Sequence, residues 1–436
     1  MNPKTLLSLT LTLTLTGVLT AQDQQPRERK PRPDGESREE RRPPREGDKN
    51  REPRSAAQRY SLEQAMGDNA QLHTIAFSGL AFVTGDFGAS TFIPPGKVCD
   101  YFGFQYMRDI DAAQKGHNPA FLNRIVANVF SILSDTQRAE MKALAEKHAE
   151  GFRQIAYKRL PVVQAFHREA DGQSPTPLNQ AKVVAYVGEI FAMDMVLSTE
   201  RAALFGKIAT SLTPEQKSAL AKLKFGDFNT WPDKNSEEYK LPRGTDKMIN
   251  VAYMTFGSEF FSWYAGSVTA DVYFCPERHG TYFGGFYMKD MPAMGKKDFD
   301  ISTSVTGDSG KEFLNTLTET QRKEITVIPD LQRKALTEIA QVRKAISEEL
   351  RLFLAGKTPD KDKLMALGKR YGELDGEMSY YYARAFARVK KTLTPEQKSK
   401  LMKLRNLDGY TSAPAYLYST AMKELPSMPD VEMFFK

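Results

Sequence analysis

The apolar residues of this chain recur every three or four positions over most of its length, the spacing that one face of an α-helix requires. Between residues 134 and 169 the stripe runs through Met141, Leu144, His148, Phe152, Ile155 and Ala156, which predicts one long amphipathic helix. Residues 318–354 carry a second stripe through Ile325, Leu336, Ile339, Val342, Ile346 and Leu350. Pro161 and Pro329 interrupt these stretches. A proline inside a helix removes a donor and crowds the preceding turn, so both helices should kink. The turn sequences at 171–176 (DGQSPT) and 356–360 (GKTPD) then reverse the chain. Second long helices follow at about 177–210 and 360–391, and apolar helices near 61–84 and 245–268 open each half. The predicted class is all-α, with antiparallel helices joined by short turns.

The order of elements occurs twice because the sequence does. Residues 101–109 (YFGFQYMRD) match 282–290 (YFGGFYMKD) at six of nine positions, and 212–223 (LTPEQKSALAKL) match 393–404 (LTPEQKSKLMKL) at ten of twelve. Both pairs lie 181 residues apart. Two matches at one offset indicate a duplicated unit of domain size rather than a short solenoid repeat. The expected organisation is two homologous antiparallel helical bundles, residues 60–231 and 244–420, related by a pseudo-twofold axis, with a C-terminal tail at 421–436. Each has a long Pro/Gly-rich loop, 86–117 and 269–308. The loops are dense in aromatics (Phe92, Tyr101, Phe102, Phe104, Tyr106; Tyr273, Phe274, Tyr282, Phe283, Phe286, Tyr287). Aromatics in that number favour burial against the bundles.

The N-terminal segments are of another kind. Lys4 followed by an apolar run at 6–19 and a small residue at Ala21 reads as a secretory signal peptide over residues 1–21. That places the chain in the periplasm or outside the cell. No later apolar run reaches the length of a membrane span. Residues 22–59 are a Pro/Arg/Glu-rich linker with almost nothing apolar to bury, which predicts disorder. They hold 12 Lys/Arg against 9 Asp/Glu. Removing that +3 and the +1 of Lys4 from the chain's +7 leaves +3 for residues 60–436. A body so nearly neutral gives no reason to expect a nucleic-acid face.

Four helix starts share the pattern Leu-Ser/Thr-x-x-Gln, with caps at Ser134/Gln137, Thr213/Gln216, Thr318/Gln321 and Thr394/Gln397. The hydroxyl accepts from the amide three residues on, and the glutamine reaches back to the cap amide, forming a capping box. Pro214 and Pro395 stand at the first helical position, where a missing N–H costs nothing. The boxes are 79 residues apart in the first half and 76 in the second. With an exported, helical chain, this resembles the LTxxQ family of small periplasmic proteins, which includes the Spy and CpxP chaperones. The resemblance covers about 130–225 and 314–406. It implies cradle-shaped helical dimers that bind unfolding clients without ATP or help sense envelope stress, and some relatives bind zinc, copper, nickel or cobalt. Two copies are fused here, so one chain would equal a family dimer.

Other chemistry is sparse. The five histidines (His73, His117, His148, His167, His279) have no counterparts at the 181 offset, and no nucleotide loop is present, so the chain is not expected to be an enzyme and no cofactor is expected. Asp194 and its match Asp375 sit among apolar helical neighbours, which predicts buried acids paired with Arg108 or Lys289. Cys99 and Cys275 lie in the two loops, and a bridge between them, two separate thiols and a metal site are the readings of the pair. Cys275, His279, Met288, Met291 and Met294 form a soft donor set suited to copper or zinc, whereas the same methionines also suit a packed core. The functional expectations are therefore a client-binding chaperone or stress adaptor, a soft-metal sensor or scavenger, and a structural envelope protein docking a fixed partner.

Overall fold

In the computed structural model of the chain, the residues described are 63, 66–85, 120–223, 231–273, 309–404, 416–417, 420–421, 427 and 429–436. The fold is all helical. The first half contributes α1 (Asp68–Thr84), α2 (Ala120–Ile132), α3 (Asp135–Ala170), α4 (Gln180–Ser211) and α5 (Pro214–Lys222). After a 3₁₀ turn at Ser236–Tyr239 come α6 (Lys247–Ala265), α7 (Val268–Tyr273), α8 (Ser309–Thr316), α9 (Glu319–Thr326) and α10 (Ile328–Leu350). A 3₁₀ segment at Arg351–Ala355 leads to α11 (Lys361–Thr392) and α12 (Pro395–Leu404). A two-residue antiparallel ladder pairs Tyr416–Leu417 with Thr420–Ala421, and Val431–Phe434 form a last 3₁₀ turn. None of the described helices is long and apolar enough to cross a membrane.

The two apolar stripes face the core. Met141, His148, Phe152, Ile155 and Ala156 are buried on α3, and Leu144 packs partly buried beside them. Leu336, Ile339, Val342, Ile346 and Leu350 are buried on α10, and Ile325 on α9. The two prolines behave differently. Pro161 lies inside α3, which continues unbroken from Asp135 to Ala170. Pro329 sits at the first turn of α10, directly after the helix breaks at Val327. A proline costs little where the amide it lacks has no helical acceptor. The helix pairs reverse where the sequence places turns, with Gly172 and Gly356 at φ of 70° and 69°, a left-handed backbone that glycine adopts without strain.

Among the described residues the two long second helices, α4 and α11, form the largest helix–helix interface. They run antiparallel: Gly368 lies against Met195, Gly372 against Val187 and Phe191, and Gly376 against Val184. A Cβ on Gly372 would fall 2.6 Å from the Val187 carbonyl oxygen and 2.6 Å from the Phe191 Cβ. Glycine is what lets these backbones meet. All described residues belong to one compact unit, Ser55–Lys436.

The opening helices are exchanged between the halves. The boundaries 60–231 and 244–420 place each with the bundle that follows it in sequence, yet α1 packs on α8 to α12 of the second half. Correspondingly α6 packs on α2, α3 and α4 of the first. The two exchanged helices are held by contacts of the same kind. Asp68 at the start of α1 bonds Arg333 of α10 at 2.7 Å, and Asp246, the N-cap of α6, pairs with Arg153 of α3. Gly79 of α1 rests on Phe313 and Phe386, and Gly257 of α6 rests on Phe130. Phe82 lies 5.8 Å from Phe386, and Phe260 lies 5.9 Å from Phe205, centroid to centroid.

Two sequence boundaries shift. Residues 268–273, partly inside the expected loop 269–308, are helical. Within the expected tail 421–436, Val431, Phe434 and Phe435 are buried.

Candidate functional site

The Leu-Ser/Thr-x-x-Gln starts are the most specific local feature, and the structure joins them in pairs. At Ser134 the backbone amide donates to Gln137 Oε1 at 2.9 Å, and the Gln137 amide donates to Ser134 Oγ at 3.2 Å. The same reciprocal bonds form at Thr213/Gln216, Thr318/Gln321 and Thr394/Gln397. Each glutamine has two donors left over. Gln216 Nε2 donates to Gln137 Oε1 at 2.9 Å and to the Ile132 carbonyl at 2.9 Å, while Gln137 Nε2 donates to Ser211 Oγ at 3.1 Å. In the second half Gln397 Nε2 donates to Gln321 Oε1 at 2.9 Å and to the Thr316 carbonyl at 2.8 Å. Gln321 Nε2 donates to Thr392 Oγ1 at 3.1 Å. The motif therefore caps two helices and ties them, and the end of the intervening long helix, into one knot. Its glutamines are buried or half-buried.

A buried polar cluster lies between α3, α4 and the exchanged α6. Arg201 and Glu259 are both buried and bonded at 3.2 Å. The Arg201 guanidinium also donates to Ser198 Oγ at 3.2 Å and lies 5.6 Å and 5.5 Å from the Phe152 and Phe256 ring centres. Ser198 Oγ reaches Asp194 Oδ1 at 3.5 Å. His148 Nε2 bonds Glu200 at 2.8 Å, and Glu200 also accepts from Lys147 at 2.7 Å. Burial, then the nearby Arg201 charge, pulls the His148 pKa down to about 4, against the opposing Glu200 bond. The ring is neutral near pH 7.

In the second half a buried tyrosine, Tyr382, stands 181 positions after Arg201. Tyr382, fully buried, donates to Gln332 Oε1 at 2.5 Å, and Gln332 Nε2 donates to Gln71 Oε1 of the exchanged α1 at 2.9 Å. Burial raises the Tyr382 pKa well above its ordinary value. Asp194 and Asp375 are both buried, one helical turn before Ser198 and Ser379. Their expected partners Arg108 and Lys289 lie outside the described residues.

A third buried acid was not singled out from sequence. Asp271 accepts from Arg351 Nε at 2.6 Å and from Ser347 Oγ at 2.5 Å, and Arg351 stacks 5.6 Å from the Trp263 ring centre. Burial pushes its pKa up against the pull of Arg351. These groups fasten α7 to α10 and the 3₁₀ segment that follows it.

The remaining candidates, Cys99, Cys275, His279, Met288, Met291 and Met294, lie outside the described residues. Among the described residues no group of three His, Cys, Asp or Glu side chains stands close enough to hold a metal ion. The sequence also gave no weight to residues 429–436. They occupy the turn between α3 and α4, with Phe434 and Phe435 buried there. The apolar cluster Val431, Met433, Phe434, Phe435 is the signal that marks them. No protein-family model, curated protein or solved structure matches the chain.

Proposed function

We propose that this chain is an exported, ATP-independent chaperone or envelope-stress adaptor of the LTxxQ type, with one chain standing for a two-chain dimer. The observation that carries the reading is the bonded pairing of the four motif glutamines, Gln137 with Gln216 and Gln321 with Gln397. An isolated capping box occurs in helical proteins of every kind. Two bonded pairs, closed by equivalent hydroxyl and carbonyl partners, support the likeness to that family more strongly than the motif alone.

The helices use their apolar faces on one another. Among the described residues only Val196, Val327 and Leu331 are large apolar side chains left exposed. Client contact is proposed for the aromatic segments 86–117 and 274–308. Residues 22–59 serve as a tether. The test is light scattering of a reductant-unfolded client with the chain added at rising ratio and no nucleotide. Suppression near one chain per client supports the reading, and no suppression with two unrelated clients overturns it.

A further inference from the structure

Residues 429–436 are held on the α3–α4 turn through both backbone and side chains. The Phe434 carbonyl accepts from the Asn179 amide at 2.7 Å, the Phe435 carbonyl from Thr176 Oγ1 at 3.1 Å, and the Lys436 carbonyl from Asn179 Nδ2 at 2.8 Å. Two residues of one turn thus engage three successive carbonyls, a contact indifferent to the side chains that follow. Side chains add two aromatic positions. Phe434 is fully buried, its ring edge-on to Tyr186 at 5.0 Å. Phe435 lies beneath the Arg168 guanidinium at 5.3 Å, a cation–π arrangement. Arg168 also pairs with Glu432, and Lys158 stands 5.4 Å over the other side of the site at Tyr186.

The receiving turn also makes bonds of its own. The Gln173 amide donates to the Arg168 carbonyl at 2.9 Å, Asp171 is paired with Lys390 of α11 at 2.7 Å, and Asn179 caps α4 by accepting from the Lys182 amide at 3.3 Å. A surface ordered in advance binds short peptides with less entropy lost. The occupant, by contrast, contributes one 3₁₀ turn of its own.

We propose that the surface formed by Arg168, Thr176, Asn179 and Tyr186 is a peptide-binding site, filled in cis by residues 429–436, that accepts a client segment carrying two adjacent aromatic residues and an acidic one. The identity of the partner rests on the client-binding reading above; the site itself does not. A tethered occupant competes at an effective concentration on the order of millimolar, so the intact chain takes free peptide weakly until its own segment lets go.

The experiment measures fluorescence anisotropy of a labelled peptide of sequence PDVEMFFK with the full chain and with the full-chain variant Phe434→Ala/Phe435→Ala. The variant is expected to bind one peptide at least tenfold more tightly than the unaltered chain, and adding Asn179→Ala to it should weaken binding at least tenfold. A helical, cooperatively melting variant that binds no better than it binds a scrambled peptide overturns the proposal. A second measurement does not depend on any variant folding. In native-state hydrogen exchange of the unaltered chain, the Asn179 amide should exchange well ahead of the α4 core and slow when free peptide is added. Exchange of that amide only with global unfolding overturns the proposal. Peptide binding without suppression of client aggregation upholds the site and removes the chaperone reading; suppression without peptide binding does the reverse.

Discussion

Gln216 donates its side-chain amide to the side-chain oxygen of Gln137 across 2.9 Å, joining two helix starts that are 79 residues apart. Gln137 Oε1 already accepts from the Ser134 amide, so one oxygen serves two caps. The two residues should therefore behave as a unit. Gln137→Ala and Gln216→Ala are each expected to cost about 1–2 kcal/mol, from a lost cap and lost bonds to buried groups. The double substitution should cost less than the sum by about 0.5–1.5 kcal/mol, as contacting residues do. Urea unfolding of the four-member cycle checks this, and simple additivity would mean the inter-glutamine bond is idle.

Gly372→Ala tests the α4–α11 approach. Its new methyl group would meet the Val187 carbonyl oxygen, a backbone atom that cannot swing aside. Destabilisation of about 1–3 kcal/mol is expected, the range for overpacking a tight contact. An alanine variant as stable as the parent would show that the helices are not pressed together there.

The exchanged helix α6 is anchored by a buried charge pair. Glu259→Ala leaves Arg201 among Phe152 and Phe256 without that carboxylate, and removing one partner of a buried pair costs about 3–5 kcal/mol. Replacing Gln71 in α1 breaks a neutral bond to Gln332 and should cost about 1–3 kcal/mol. Thermal melts of the two variants should rank in that order.

Acid stability follows from His148. Its pKa of about 4 in the fold lies below the ordinary 6.5, so the unfolded chain binds the proton more tightly. The stability this gives is complete above pH 6.5 and is lost as pH falls towards 4. A gap of this size corresponds to about 3 kcal/mol. His148→Gln, which keeps a polar group without a titrating ring, should flatten the pH dependence of urea midpoints across that window. An unchanged slope would assign the acid sensitivity to carboxylates instead.

The helix exchange predicts fragment behaviour. Residues 1–243 lack α6, and residues 244–436 lack α1. Each alone should fail to melt cooperatively, and mixing should restore a cooperative transition with a one-to-one complex by sedimentation. A cooperative melt of residues 1–243 alone at the full-chain temperature would show that the first bundle closes without its exchanged helix.

The helices and their caps were legible because their causes are local. The stripe through Met141, His148, Phe152 and Ile155 and the hydroxyl–glutamine spacing both act within a turn or two. What escaped was pairing at a distance. Helices α1 and α6 are apolar on most sides, so periodicity cannot say which bundle they enter. Arg201 and Glu259 are 58 residues apart with no shared motif. Asp194 is legible because its helical neighbours Ile190, Phe191 and Leu197 are apolar, and Asp375 because it matches Asp194 at the 181 offset. Asp271 carries no such signal, because it stands at the edge of a stretch whose Pro/Gly-rich, aromatic pattern predicts a loop.

The exchange also sets an order of events. The helix α1 is made early, but apart from the stacking of Phe82 on His167 of α3, the helices it packs on lie between Ser309 and Leu404. An emerging chain must therefore carry that apolar segment unsheltered until nearly all of its length has been delivered. Closing so distant a contact is slow, and exposed apolar segments invite aggregation in the interval. This protein cannot fold vectorially, one half at a time; whatever escorts it through synthesis has to keep residues 68–84 apart from other chains until the last bundle arrives.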